Sequence, residues 1–520
     1  MKRRNFLRTA GLLSLPTLGG MPAVRAALNS PLRQLLSAES DRILIVVQLF
    51  GGNDGLNTLV PLDQLSALSA VRPTLLLPED QLHKLDDRLG MHPAMDGMRD
   101  LYRDGKLTIV QSVGYPEPNR SHFRSSEIWA TASAAQEELS TGWLGRYFDT
   151  RHPDYPDNYP NADTPDPVAL TVGNVAHASC EGAATNYSQA ILDPANVTFL
   201  RPTDDTPEPD DFYGQQLDFL RTTFDLTNTY GRIVQQAAER GAPTVEYPST
   251  ELGRQLRKVA TLINGGLGTK VYTVNVGGFD NHADQVVGGQ TTEGNHAKLL
   301  RMVSDAIAAF QADMEAQGYG ERVLGFTYSE FGRRIRANAS LGTDHGDAGP
   351  MFLFGQCAAG GILGDNVRVD PAVSITEGVP LQFDFRDVYG SILTDWFGAE
   401  EAEVRRLIHA DFTRLPVIRA CGELTSPTTD EGGRGPGFSL FPNPAQRQTT
   451  LEVSTERTSR IGWELRDVTG RLVQRQTERV LPAGQHRLPV RLTGRAAGVY
   501  VLSLLRDGQP AGSRRLLLRR

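Results

Sequence analysis

Residues 43–50 read ILIVVQLF, and GGNDG follows at 51–55. All but Gln48 are apolar, and the run is rich in Ile and Val. A strand with one wet face alternates apolar and polar residues; a run without alternation predicts a strand buried on both faces, as in a parallel sheet. The glycine pair then ends it in a sharp turn. The same grammar recurs outward from this point. Residues 107–113 (LTIVQSV) end in Gly114-Tyr115-Pro116, and residues 271–276 (VYTVNV) end in Gly277-Gly278. Residues 323–328 (VLGFTY) form a fourth run and 351–354 a fifth. Between them, Leu299, Leu300, Val303, Ile307, Phe310 and Met314 keep a helical period, and Leu217, Leu220, Phe224 and Ile233 keep it more loosely. Buried strands alternating with helices predict an α/β domain with a mostly parallel sheet flanked by helices. Residues 149–167 and 202–213, rich in Asp and Pro, read as surface loops.

The 520 residues leave room for one large domain or for two or three, and 39% hydrophobic residues with 52 glycines supply an ordinary globular core. A charged fraction of 22% excludes a disordered chain. The net charge of −8 is unevenly spread. Residues 1–26 hold five basic residues and no acid; residues 438–520 hold fifteen arginines and six acids, which leaves −22 between them. So acidic a body argues against nucleic acid as main partner and suits cations. No apolar run of roughly 18 residues exists, so no transmembrane segment is expected.

Residues 1–26, MKRRNFLRTAGLLSLPTLGGMPAVRA, join a basic start to a short, weakly apolar stretch and small residues at the end. That is an export signal. Arg3-Arg4 before Asn5-Phe6-Leu7 resembles a twin-arginine leader. The α/β body is then expected over 27–423, and 424–437 (LTSPTTDEGGRGPG) is a linker by composition. Beyond it, short strand-like segments at 451–454, 461–468, 471–477, 486–492 and 499–506 alternate with turn signals such as Thr469-Gly470 and Asp507-Gly508. They predict a small β-sandwich over 438–520. Cys180, Cys357 and Cys421 allow at most one bridge and are expected to be small buried apolar residues.

Ligands bind beyond the carboxyl ends of strands in open α/β sheets. The first strand delivers Asp54 to that edge. The second delivers Asn119, Arg120, Ser121 and His122, just before a helical stretch. The third delivers Asp280, His282 and Asp284, and the fourth Glu330 and Arg333, followed by Asp344 and His345. Mixed Asp and His donors suit zinc or manganese; carboxylates alone suit calcium or magnesium. Each piece has a plainer reading: GGNDG as a turn, Ser121 as a helix cap, His345 as a histidine satisfied in a loop. Taken together they predict a cation site. A serine beside it can be activated as a nucleophile, a helix N-terminus can hold a tetrahedral anion, and Arg120, Arg124 or Arg333 can clamp its oxygens.

The stretches VVQLFGGNDGLNTLVPL (46–62), MHPAM (91–95), RSHFRSSEIWATA (120–132), GGFDNHADQ (277–285), SEFGRR (329–334), GTDHG (342–346) and DFRDVYGSILTDWFG (384–398) together resemble an uncharacterised twin-arginine-exported bacterial family placed near the sulfatases and alkaline phosphatases. The resemblance spans about residues 41–400. It implies an alkaline-phosphatase-like α/β fold and a two-metal site. Asp54, Asp344 and His345 would serve one metal, Asp280 and His282 the other, with Ser121 in the nucleophile's place. The spacing of Asp280 and His282 departs from the phosphatase pattern, so Asp284 is a substitute ligand. The last histidine ligand has no match beyond His296. No Cys-x-Pro-x-Arg motif is present, which argues against a formylglycine sulfatase.

FPNPA (441–445), WELRDVTGRLV (463–473), AAGVYVLSL (496–504) and the basic end at 514–520 resemble the sorting domain of type IX secretion. That resemblance implies passage through the periplasm to the outer cell surface or beyond, with the twin-arginine and type IX machineries as partners.

Two functions of different class follow. One is a secreted metal-dependent hydrolase of a small anionic ester or a sulfated or phosphorylated glycan. The other is a non-catalytic relative that binds an anion or glycan at the surface. A structural envelope protein binding calcium is a third.

Overall fold

In a computed structural model, the described residues are 41–199, 211–421 and most of 438–518. The expected leader (1–26) and linker (424–437) lie outside them. The chain divides into two units, Glu39–Cys421 and a C-terminal one.

The body is built on β1 (Ile43–Leu49), β2 (Leu107–Gly114), β3 (Ala169–Val172), β4 (Ser188–Ile191), β5 (Val271–Val276), β6 (Val323–Tyr328), β7 (Gly349–Phe354), β8 (Gly361–Leu363) and the two-residue β9 (Phe383–Asp384). Its sheet runs in the order β8-β2-β7-β6-β1-β5-β3-β4, with β9 added to β2. β1 lies parallel to both β5 and β6, and β7 runs against β6 and β2. The mostly parallel sheet is therefore present. β1 is central and buried as its composition requires, because each face carries a cover. Leu44 and Val46 join one apolar cluster with Trp129, Phe326 and Trp396. Ile43, Ile45, Val47 and Leu49 join the opposite one, with Leu256, Ile307 and Phe310.

The helices that bear on the site are α1 (His122–Thr131), on the first of these faces, and α2 (Asn295–Ala316), which packs Leu300, Val303, Ile307, Phe310 and Met314 into the second. α2 confirms the helical period at those positions. No helix among the described residues is long and apolar enough to cross a membrane.

The C-terminal unit has two antiparallel sheets. One is β10 (Phe438–Phe441), β11 (Gln448–Thr455) and β14 (Gly484–Arg491). The other is β12 (Ser459–Asp467), β13 (Leu472–Leu481), β15 (Gly498–Arg506) and β16 (Gln509–Leu518). Leu451 and Val453 from the first share one core with Trp463, Leu465, Leu502 and Leu516 from the second.

The cysteines differ from expectation. Cys357 and Cys421 form a disulfide, with Cα atoms 5.3 Å apart, and Cys180 alone remains a buried thiol. Backbone bonds from Arg419 to Cys357 and from Ala359 to Val417 align the two segments, a pairing that spacing in sequence does not reveal.

Candidate functional site

The β1 turn places its backbone against Asp280. A Cβ on Gly51 (φ 124°) would come 2.3 Å from the Asp280 amide, so this approach requires glycine. The turns after β5 and β6 meet it there, together with the start of α1 and the loop that returns to β7. Their side chains converge on one carboxylate.

Asp280 Oδ1 accepts from Arg333 Nη2 at 2.7 Å and lies 3.0 Å from His345 Nε2 and 2.9 Å from His282 Nδ1. Asp280 Oδ2 lies 3.4 Å from His122 Nε2. Burial works against the charged carboxylate, but the bond and the charge of Arg333 and the contact with His345 outweigh it and bring its pKa down to about 2. His282, 46% exposed, has its pKa lowered by burial, with Asp280 opposing. The Phe331 ring packs against both imidazoles, 4.9 Å from His122 and 4.5 Å from His345.

One atom each from His122, Asp280 and His345 lie within 4.8 Å of one another. The hydrogen bonds decide what these atoms offer. His345 Nδ1 sits 2.8 Å from the Arg120 carbonyl, which can only accept, so Nδ1 carries the hydrogen. In the neutral ring Nε2 is then a bare lone pair facing a carboxylate oxygen. Two acceptors at 3.0 Å need a proton or a cation between them. The donor set of two imidazoles and a carboxylate fits a divalent metal held by three protein ligands.

The other expected residues are placed differently. Asp54 is 3% exposed, and its carboxylate is occupied by Arg72 Nη1 (3.0 and 3.1 Å) and Gln285 Nε2 (2.6 Å). Burial disfavours its charge, yet Arg72, His296 and the Gln285 bond hold its pKa below the usual range. It is a structural anion, not a ligand facing the cluster. Asp344 turns to Arg334 Nη1 (3.0 Å) and Asn338 Nδ2 (3.2 Å). Asp284 is exposed, with φ 51°, and stands outside the three-residue group. The two-metal arrangement is thus replaced by one three-residue group among the described residues. His296 is on α2, as its helical setting suggests, and its Nε2 bonds Asn53 Oδ1 at 2.9 Å in the interior.

Neither Arg120 nor Arg333 is free to clamp a substrate. Arg333 is 1% exposed and donates to the carbonyls of Gly51, Gly52, Thr343 and Phe279 as well as to Asp280. It positions the carboxylate. Arg120 is paired with both oxygens of Asp347 (2.8 and 2.7 Å) and donates to the Thr376 carbonyl. Ser121 is exposed at the N-cap of α1; its amide donates to Asn119 Oδ1, and its hydroxyl does not cap the helix. Sequence reasoning brought His122 and Glu330 to the correct edge but assigned them no role. The signal was their place at strand ends beside residues that were chosen.

Residues 41–383 match the family model described as Protein of unknown function (DUF1501), and residues 439–518 match the Secretion system C-terminal sorting domain. No curated protein matches the chain. Among solved structures the chain is similar to PsFucS1 sulfatase from Pseudoalteromonas sp., at 10% identity over 91% of this chain and 88% of that one, with a TM-score of 0.33. It is similar also to a protein in the alkaline phosphatase superfamily from Vibrio parahaemolyticus, at 11% identity over 87% and 82%, with a TM-score of 0.32. Dimeric latent PorU from Porphyromonas gingivalis matches at 18% identity over 16% of this chain, with a TM-score of 0.14; the chain spans 9% of that protein's length.

Proposed function

The chain belongs to the family described as Protein of unknown function (DUF1501) and carries a secretion sorting domain, and we propose that it is an exported metal-dependent hydrolase of phosphate or sulfate esters. The observation that supports this reading is the convergence of His122 Nε2, His345 Nε2 and the Asp280 carboxylate on one point. Imidazole donors favour zinc or manganese over calcium or magnesium. A cation bound there would polarise an ester oxygen and lower the pKa of a nucleophile.

The chain's own residues do the rest. Arg333 holds Asp280 in place, and the Arg120 carbonyl orients His345. His282, with Nδ1 2.9 Å from Asp280 Oδ1 and its side chain 46% exposed, is able to carry a proton at its ring. Ser121, exposed and one position before His122, is the proposed nucleophile. The substrate is a small anionic ester or a sulfated or phosphorylated glycan. The sorting domain supports delivery to the cell surface or outside, and the sequence at 1–26 supports a twin-arginine route through the periplasm.

A second reading, a surface protein that binds an anion or glycan without turnover, is favoured by one observation: Asp54 and Asp344, expected with His345 to hold one of two metals, are engaged by Arg72 and Arg334. A panel of phosphate and sulfate esters, run with zinc or manganese on the wild type, Ser121→Ala and Asp280→Asn, separates the two. Hydrolysis lost in both variants supports the enzyme. Turnover unchanged in Ser121→Ala removes the nucleophile, and no turnover by the metal-loaded wild type favours the binding protein.

A further inference from the structure

Behind the three-residue group lies a carboxylate that touches no solvent. Glu330 follows β6 by two positions and is 0% exposed. Its Oε1 accepts from the Gly51 amide at 2.9 Å and lies 2.7 Å from His122 Nδ1. As a carboxylate Glu330 can only accept, so the hydrogen in the shorter contact belongs to Nδ1. That leaves Nε2 of the neutral ring bare on the side of Asp280, 3.4 Å from Oδ2. The backbone of Glu330 is fixed as well, because its carbonyl accepts from the Ser125 hydroxyl, on the same helix α1 that begins with His122. One residue thus ties the β1 turn, the β6 turn and α1 to the orientation of one imidazole.

The two histidines of the group differ in this respect. His345 is backed by a neutral carbonyl, that of Arg120, and His122 by a carboxylate. The charges differ too. Arg333 sets its positive charge against Asp280. Among the described residues Glu330 has no such partner: Oε1 meets an amide and an imidazole, and Oε2 has no hydrogen-bond partner. Its carboxyl group therefore acts through His122 on whatever sits beyond Nε2.

We propose, resting on the cation site above, that Glu330 is a positioning residue: it holds His122 with Nε2 turned to the Asp280 carboxylate and supplies the charge that strengthens the site's hold on a divalent cation. Carboxylates behind metal-binding imidazoles act in this way by fixing the tautomer and raising ligand basicity.

Zinc titration of the full chain by calorimetry tests this. Glu330→Gln keeps an acceptor oxygen of the same shape and removes the charge. It should weaken zinc binding by about 10- to 100-fold, while the melting temperature of the metal-free protein stays the same or rises. A merely structural role gives the reverse, a lower melting temperature with zinc affinity within about threefold of wild type, and overturns the proposal. The ring nitrogens of His122 in the metal-free wild type provide a measurement that needs no variant: nitrogen-15 spectra should show the hydrogen on Nδ1, and a hydrogen on Nε2 overturns it. A wild type that takes up no zinc overturns the cation reading and the affinity claim with it, whereas the tautomer decides the positioning role by itself.

Discussion

Asp54 and Arg72 form an ion pair inside the body: Nη1 reaches one carboxylate oxygen at 3.0 Å, and the two side chains are 3% and 1% exposed. The remaining donors of Arg72 go to the carbonyls of Ile335 and Arg334, at 2.8 Å each, and to Asn57. The pair therefore joins the β1 turn to the segment after β6.

Breaking it should destabilise the body. Arg72→Met leaves Asp54 buried and uncompensated, at a cost of about 3–5 kcal/mol. Chemical denaturation measures the loss. Zinc stoichiometry should survive in Asp54→Asn, because Asp54 does not face the cation group; a stoichiometry lost along with Asp54 would restore it as a ligand.

Two buried histidines, His92 and His296, and the half-buried His177 make stability depend on mildly acidic pH. Burial lowers the pKa of His92 to about 3 and of His177 and His296 to about 4, from an ordinary 6.5. Between pH 6.5 and about 4 the unfolded chain binds protons that the folded one refuses, so stability falls as pH falls. The slope reaches about 1.4 kcal/mol per pH unit for each histidine. Denaturation midpoints at pH 7 and pH 5 should show the lower value at pH 5. Equal midpoints, or a higher one at pH 5, would contradict the assignment.

The Cys357–Cys421 bridge spans a separation of 64 residues. Closing a loop of that size restricts the unfolded chain by roughly 4 kcal/mol on the chain-entropy model. Reduction with dithiothreitol, or Cys357→Ser, should lower the melting temperature, and mass spectrometry of the untreated protein should find one free thiol. Three free thiols in protein purified under oxidising conditions would refute the bridge.

Much of this was legible in the sequence, for stated reasons. The run at 43–50 fixes a strand buried on both faces because only a covered parallel sheet removes the need for alternation. Asp280, His282 and His345 lie beside one another because glycine turns mark where strands deliver side chains to the carboxyl edge of the sheet. What stayed hidden depends on contacts across the fold. GGNDG shows a carboxylate but not the Arg72 that neutralises it from 18 positions away. Arg333 reads as a clamp until Gly51, Gly52, Thr343 and Phe279 are seen to occupy it. His122 and Ser121 are neighbours at a helix start, and only the rotation of that helix decides that His122 meets Asp280.

Diffraction from zinc-soaked crystals, recorded at the zinc absorption edge, tests the central claim most directly. The account predicts one anomalous peak within bonding distance of His122 Nε2, His345 Nε2 and an oxygen of Asp280. A peak on Asp54 or Asp344, or no peak at the three-residue group, would contradict it.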